Sequence, residues 1–130
     1  MRNSRQKELI RTSVMHRRDH PTAADVYEAI HAIDPNVSLG TVYRNLNNMV
    51  TRGELMKIAV PNEADHYDTR THEHQHVKCS HCQKVFDVDM AVPQSFRDKI
   101  KKETGFEIGR LHMMGIGLCQ KCRNKVKEKL

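Results

Sequence analysis

Residues 65–82 hold five His, two Cys, two Asp and one Glu, ten potential metal ligands in eighteen positions. Only Tyr67 and Val77 in that stretch carry side chains suited to a core. A segment this polar cannot fold by burying itself, because every buried polar group needs a partner. Metal coordination is the simplest way to organise it. The remaining 112 residues offer little to compensate, since the whole chain of 130 has three Tyr, three Phe and no Trp. That length makes one ordinary domain or two small ones. A small domain has a marginal hydrophobic core, so a metal staple or dimerisation is expected to add stability.

All four cysteines fall in two C-x-x-C pairs, Cys79/Cys82 and Cys119/Cys122. With no cysteine left over, the pattern points to one tetrahedral thiolate site rather than to redox pairs. Such a site is closed and therefore structural, and Zn2+ is the metal it suits. The pairs are separated by 36 intervening residues, beyond the spacing of about 15–20 typical of a compact zinc ribbon. They are expected to clamp the two ends of a sheet–helix unit.

The net charge of +6 and pI of about 9.3 suit a nucleic-acid partner. The start, Met1 to Glu8, lacks the apolar core of a signal peptide. No run approaches the roughly 18 apolar residues of a membrane span. A cytoplasmic protein is expected.

The first half reads as helices followed by a hairpin. Leu9, Ile10 and Val14 lie at helical spacing in residues 5–16, and Pro21 disfavours helix at His20. Thr22 with Asp25 three residues on is a capping-box variant that opens a second helix, with Val26, Ile30 and Ile33 as its buried stripe. Asp34-Pro35-Asn36 is a turn. Ser38 caps a third helix whose apolar face is Leu39, Val42, Leu46 and Met49. Its other face presents Thr41, Tyr43, Arg44, Asn45, Asn47 and Asn48, residue types that reach base edges and phosphates. A strand over Leu55–Val60, a turn at Pro61–Ala64 and a return through His66-Tyr67 complete a winged helix-turn-helix plan.

In the second half, His74 and His76 alternate, which on a strand puts both rings on one face. Lys84–Met90 reads as a strand with Val85, Asp87 and Asp89 on one side. A helix follows Pro93 over Gln94–Glu103 with Phe96 and Ile100, then strands at Phe106–Ile108 and Leu111–Leu118, then a basic helix Gln120–Leu130. The fold class is α+β. Residues 1–66 are expected to form a winged-helix DNA-binding domain, 67–75 a hinge with metal ligands, and 76–130 a dimerisation and metal-binding domain. An open sheet edge there would be a dimer surface.

His72-Glu73-His74-Gln75-His76 spells H-E-x-x-H. A zinc peptidase needs that motif on a buried helix, with the two His one turn apart and the Glu as base. Residues 71–76 contain nothing apolar to bury such a helix, so no enzyme is expected. A zinc-dependent RNA-binding module is a further alternative, one that would bind without regulation by a second metal. His20, His66, Asp68, His72, His74, His76, His81, Asp87, Asp89 and His112 leave a second, mixed nitrogen–carboxylate site possible, suited to Fe(II), Mn(II) or Zn(II).

Four motifs carry a family resemblance across nearly the whole chain. They are His20-Pro21-Thr22-Ala23, Thr41-Val42-Tyr43-Arg44-Asn45-Leu46, His74-x-His76-x-x-Cys79-x-x-Cys82, and His112 followed by Cys119-x-x-Cys122. The chain resembles the ferric uptake regulator family of metal-dependent repressors, and within it the peroxide-stress repressors. The resemblance implies a homodimer on a palindromic DNA operator, with Tyr43 and Arg44, beside Thr41 and Asn45, at the DNA. It implies structural zinc on Cys79, Cys82, Cys119 and Cys122. It also implies a regulatory Fe(II) or Mn(II) site of His20, Asp68, His74, His76 and Asp87, with His20 or His74 oxidised by hydrogen peroxide. Asp87 resembles the peroxide sensors, where iron sensors usually carry Glu. The alternative within the family is an iron-, zinc- or manganese-responsive repressor without peroxide chemistry. Relatives commonly have a longer N-terminal arm with an extra helix before the first core helix, whereas here four residues precede Arg5. Gln75 beside His74 is a poor ligand, so a further metal site found in many iron sensors is expected to be absent or weak.

Overall fold

In the computed structural model, which describes residues 2–129, the chain divides into two compact units, residues 1–71 and 72–130. The division falls inside the stretch expected to be a hinge. Among the described residues no helix is long and apolar enough to cross a membrane.

The first unit comprises α1 (Arg2–Met15), α2 (Ala23–His31), α3 (Leu39–Thr51), β1 (Met56–Ile58) and β2 (His66–Asp68). Its core draws Ile10 and Val14 from α1, Val26 and Ile30 from α2, and Val42, Leu46 and Met49 from α3, closed by Leu55 and Tyr67. The capping box at α2 is present in full: Asp25 N–H donates to Thr22 Oγ1 at 3.1 Å, and Thr22 N–H donates to Asp25 Oδ2 at 3.0 Å. Ser38 caps α3, its hydroxyl accepting from Thr41 N–H at 3.1 Å. Strands β1 and β2 pair antiparallel, Ile58 opposite His66 and Met56 opposite Asp68, and form the wing. This is a winged helix-turn-helix unit.

Several local expectations are corrected. Helix α1 starts at Arg2 rather than at residue 5. Ile33 is 69% exposed, because α2 ends at His31 and Ile33 enters the following turn. Leu39 is exposed at the first turn of α3, before the helix meets the core. The first wing strand keeps three residues of the six expected, although Leu55 and Val60 at its flanks are buried.

The second unit comprises β3 (Gln75–Cys79), β4 (Val85–Val88), α4 (Gln94–Thr104), β5 (Met114–Gly117) and α5 (Gln120–Lys129). Its sheet has the order β4-β3-β5, with β4 antiparallel and β5 parallel to β3. A parallel neighbour requires a crossover, and α4 supplies it. Gly105 ends α4 at φ +78°, where a side chain would be strained, and donates back to the Lys101 carbonyl at 2.8 Å. Phe106–Ile108 forms no strand, and only Met114–Gly117 of the expected 111–118 pairs. The expected strand Lys84–Met90 is shorter too, paired over Val85–Val88. Residue 130, expected to end α5, lies outside the described residues. The architecture is α+β, as the sequence implied.

Candidate metal centres and DNA-facing helix

The thiolate site joins two turns of the second unit. Cys79 ends β3, Cys82 lies in the following turn, and Cys119 and Cys122 sit before and within the first turn of α5. All four Sγ atoms lie within 4.8 Å of one another, Cys82 and Cys119 at 3.9 Å. Four sulfurs at about 2.3 Å around a tetrahedral ion stand about 3.8 Å apart, so the set fits Zn2+. The turn is built for this. Gln83 takes φ +69° and donates from its backbone to the Cys79 carbonyl at 2.9 Å. Backbone N–H groups of Cys119 and Cys82 point at Cys79 Sγ from 3.5 and 3.4 Å. Those donors stabilise the thiolate and pull Cys79 down to about 5. Burial, then the neighbouring thiols, push Cys122 up to about 12. One thiolate is thus ready for a cation, while another needs the cation to lose its proton.

The second group of ligands in this unit lies on the adjoining pair β3–β4. His74 and His76 are each 1% exposed, with ring centroids 4.5 Å apart. Register places His76 opposite Asp87. A single oxygen, Asp87 Oδ1, stands 3.0 Å from His74 Nε2 and 3.1 Å from His76 Nε2. Donors bonded to one ion at about 2.1 Å are separated by about 3.0–3.4 Å, so each histidine nitrogen stands from the Asp87 oxygen at the separation of two ligands on one metal.

The tautomers sharpen this. His74 Nδ1 lies 2.7 Å from the His72 carbonyl, which can only accept, so Nδ1 carries the hydrogen. A neutral His74 then turns a lone pair toward a carboxylate oxygen 3.0 Å away. Two acceptors face each other stably only with a cation between them: a proton on Nε2 or a metal ion. His76 Nδ1 pairs with His112 Nε2 at 2.8 Å, and burial foremost lowers His112 from its ordinary value. A neutral His112 can accept from His76 Nδ1–H and leave Nε2 as the donor atom, the usual orientation of a ligating imidazole. His112 is placed to orient the His76 ring through this bond. The residue was visible in sequence; its place was not, because it depends on β5 pairing in parallel beside His76.

The first unit brings together the other two predicted ligands. His20 Nε2 lies 3.3 Å from Asp68 Oδ2, both side chains buried. His20 takes φ +53°, a strained conformation for a residue with a Cβ, just before Pro21. Strand β2 holds it there: His66 Nδ1–H donates to the His20 carbonyl at 2.6 Å, and Tyr67 N–H donates to the Pro21 carbonyl at 2.9 Å. Arg70 N–H donates to Asp68 Oδ1 at 2.9 Å and orients that carboxylate.

The H-E-x-x-H string adopts no helix. Residues 72–74 form a loop, His76 lies on β3, and Glu73 pairs with Arg97 at 3.0 Å. His72 and Asp89 approach only to 3.9 Å and are well exposed.

On α3, Tyr43 and Arg44 are exposed side by side, with Asn47 and Asn48 a turn later. Thr41 and Asn45 are half-buried and already engaged: Thr41 Oγ1 bonds Ser38 Oγ at 2.9 Å, and Asn45 Nδ2 donates to the Thr41 carbonyl at 2.8 Å. The basic charge is unevenly divided. Residues 1–71 carry ten Lys or Arg against nine Asp or Glu, while 72–130 carry twelve against seven. The winged-helix unit is thus close to neutral, with Arg44 exposed on α3 among polar side chains.

Residues 1–115 match the Ferric uptake regulator family. The chain belongs to the ferric uptake regulator family. Among curated relatives it is similar to the peroxide-responsive repressor PerR of Staphylococcus aureus, 27% identical over 120 residues, covering 92% of this chain and 81% of that protein. Among solved structures it is similar to the Campylobacter jejuni peroxide stress regulator, 28% identical, TM-score 0.68, covering 93% and 91% of the two chains. It shares its fold with the Helicobacter pylori ferric uptake regulator Fur, 21% identical, TM-score 0.71, covering 92% and 80%. Ferric uptake regulators are dimeric DNA-binding transcription factors that respond to metal, and this chain is a metal-responsive regulator of that family.

Proposed function

We propose that this protein is a homodimeric repressor that grips a palindromic operator while it holds Fe(II) or Mn(II), and lets go when hydrogen peroxide oxidises a histidine ligand. The observation that carries the metal reading is the convergence of His74 Nε2 and His76 Nε2 on one carboxylate oxygen, Asp87 Oδ1, at 3.0 and 3.1 Å. In this reading His20 and Asp68 of the first unit join His74, His76 and Asp87 of the second as the regulatory ligands. Residues 1–66 bind DNA, 67–75 act as the hinge, and 76–130 form the dimer. Cys79, Cys82, Cys119 and Cys122 hold structural zinc. Tyr43 and Arg44, supported by Thr41 and Asn45, contact DNA in a major groove.

Ligands drawn from two units make metal binding a population shift. An ion held only in the closed arrangement stabilises that arrangement by its differential affinity. Bound iron supplies the redox chemistry toward peroxide. The chain supplies His20 and His74 as the rings that gain one oxygen at carbon, with peroxide reduced to water. The shorter Asp87, in place of a glutamate, is the residue that separates this chemistry from plain metal sensing. A ligand consumed once is not turnover, so the protein is a cytoplasmic sensor and not an enzyme. The names of its Staphylococcus and Campylobacter relatives support the peroxide assignment.

The test is fluorescence anisotropy on duplex DNA selected by the protein itself, without oxygen, with Fe(II) or Mn(II), before and after equimolar peroxide. Both metals should support binding, and peroxide should abolish it with iron only. Binding indifferent to metal would overturn the regulatory site. Survival of the iron complex would leave a plain metal sensor.

A further inference from the structure

Three consecutive residues of β2 tie the ligand-bearing turn to the rest of the winged-helix unit. His66 and the Tyr67 backbone hold the carbonyls of His20 and Pro21, and Asp68 faces the His20 ring. Strand alternation sends the Tyr67 side chain the other way from its neighbours. Its ring, 1% exposed, packs in the core with Val42, Leu46 and Met49 of α3. Its hydroxyl donates to Asn47 Oδ1 of α3 at 3.3 Å. Asn47 lies one turn beyond Tyr43 and Arg44, so this bond bears on the roll of the helix that presents them.

We propose that Tyr67 is a positioning residue that transmits the state of His20 and Asp68 to the DNA-facing helix, through its packed ring and its hydroxyl bond to Asn47. A displacement of Asp68 or His20 moves β2, and β2 reaches α3 most directly through this one side chain. The inference rests on the metal-dependent DNA binding proposed above, and its test separates the two.

Tyr67→Phe removes the hydroxyl and keeps the ring, and the exposed Asn47 carbonyl can turn to water. DNA affinity is measured by anisotropy with and without Mn(II) on the zinc-loaded full chain, and Mn(II) affinity by competition with a fluorescent chelator. Wild type should bind DNA more tightly with Mn(II); if it does not, the functional reading and this inference fall together. Given that response, Tyr67→Phe should keep Mn(II) affinity without DNA and metal-free DNA affinity within about twofold. The Mn(II)-induced gain in DNA affinity should shrink about fivefold, the net worth of one hydrogen bond. An unchanged gain refutes the coupling role while leaving the regulator intact. A parallel loss of both DNA affinities at constant gain also refutes it, since that marks a merely structural residue. Should Tyr67→Phe fold poorly, Asn47→Ala is read without DNA, by amide exchange along α3: Mn(II) should slow exchange in wild type and not in the variant, and equal slowing in both refutes the coupling.

Discussion

The two units should fail separately, and Leu46→Ala is the change that tests this. Leu46 is fully buried in the core of the first unit, between Val42 and Met49 on the inner face of α3. Truncating a leucine in such a site costs about 3–5 kcal/mol, the lost transfer energy plus a cavity that neighbours fill only in part. A unit of 71 residues has a total stability of about 4–10 kcal/mol at the usual 0.05–0.15 kcal/mol per residue. The substitution therefore removes about three tenths of that stability at least, and all of it at the lower end. DNA binding should be lost or strongly weakened at 37 °C. The four-thiolate site lies wholly in residues 72–130 and makes no use of that core. Co(II) bound in place of zinc reports the site through its thiolate charge-transfer absorption. The variant should lose DNA binding and the first urea transition while retaining the cobalt spectrum. A spectrum that disappears together with DNA binding would refute independent folding. A destabilisation below about 1 kcal/mol would refute the packing argument.

Thr22→Ala removes the side-chain half of the α2 capping box and should cost about 1 kcal/mol in urea titration. In metal-free protein Cys79 should titrate near pH 5, seen as loss of thiolate absorbance at 240 nm between pH 7 and 4, and Cys79→Ser should erase that step. Because folding lowers this thiol from its ordinary range, its contribution to stability is complete above that range and fades as pH falls to about 5. Asp87→Glu should keep Mn(II)-dependent DNA binding and lose the response of the iron form to peroxide; loss of both would show that the carboxylate length matters to metal affinity instead.

Features written in short-range sequence were legible, and features written in long-range pairing were not. Thr22 and Asp25 lie three residues apart and close on each other, so the start of α2 could be read directly. The spacing of Val42, Leu46 and Met49 likewise fixes which side of α3 is buried. Ile33 misled because helical spacing does not reveal that the helix has already ended. Phe106–Ile108 resembles a strand in composition, yet no partner strand lies beside it among the described residues. The four cysteines were readable as one site because two C-x-x-C pairs with none left over favour a single tetrahedral set. His74, His76 and Asp87 were readable as candidates, but their convergence on one oxygen follows from the β3–β4 register. His112 reaches His76 only through the parallel addition of β5, which no local pattern announces. Asn45 looked available for DNA, and its bond to the Thr41 carbonyl is visible only once the side chain is placed.

The most direct test of peroxide sensing is peptide mass spectrometry of the Fe(II)-loaded protein before and after a stoichiometric pulse of hydrogen peroxide. The account predicts one added oxygen on the peptide containing His20 or His74, and none when Mn(II) replaces iron. Unmodified histidines in iron-loaded protein that still releases DNA on peroxide treatment would contradict it.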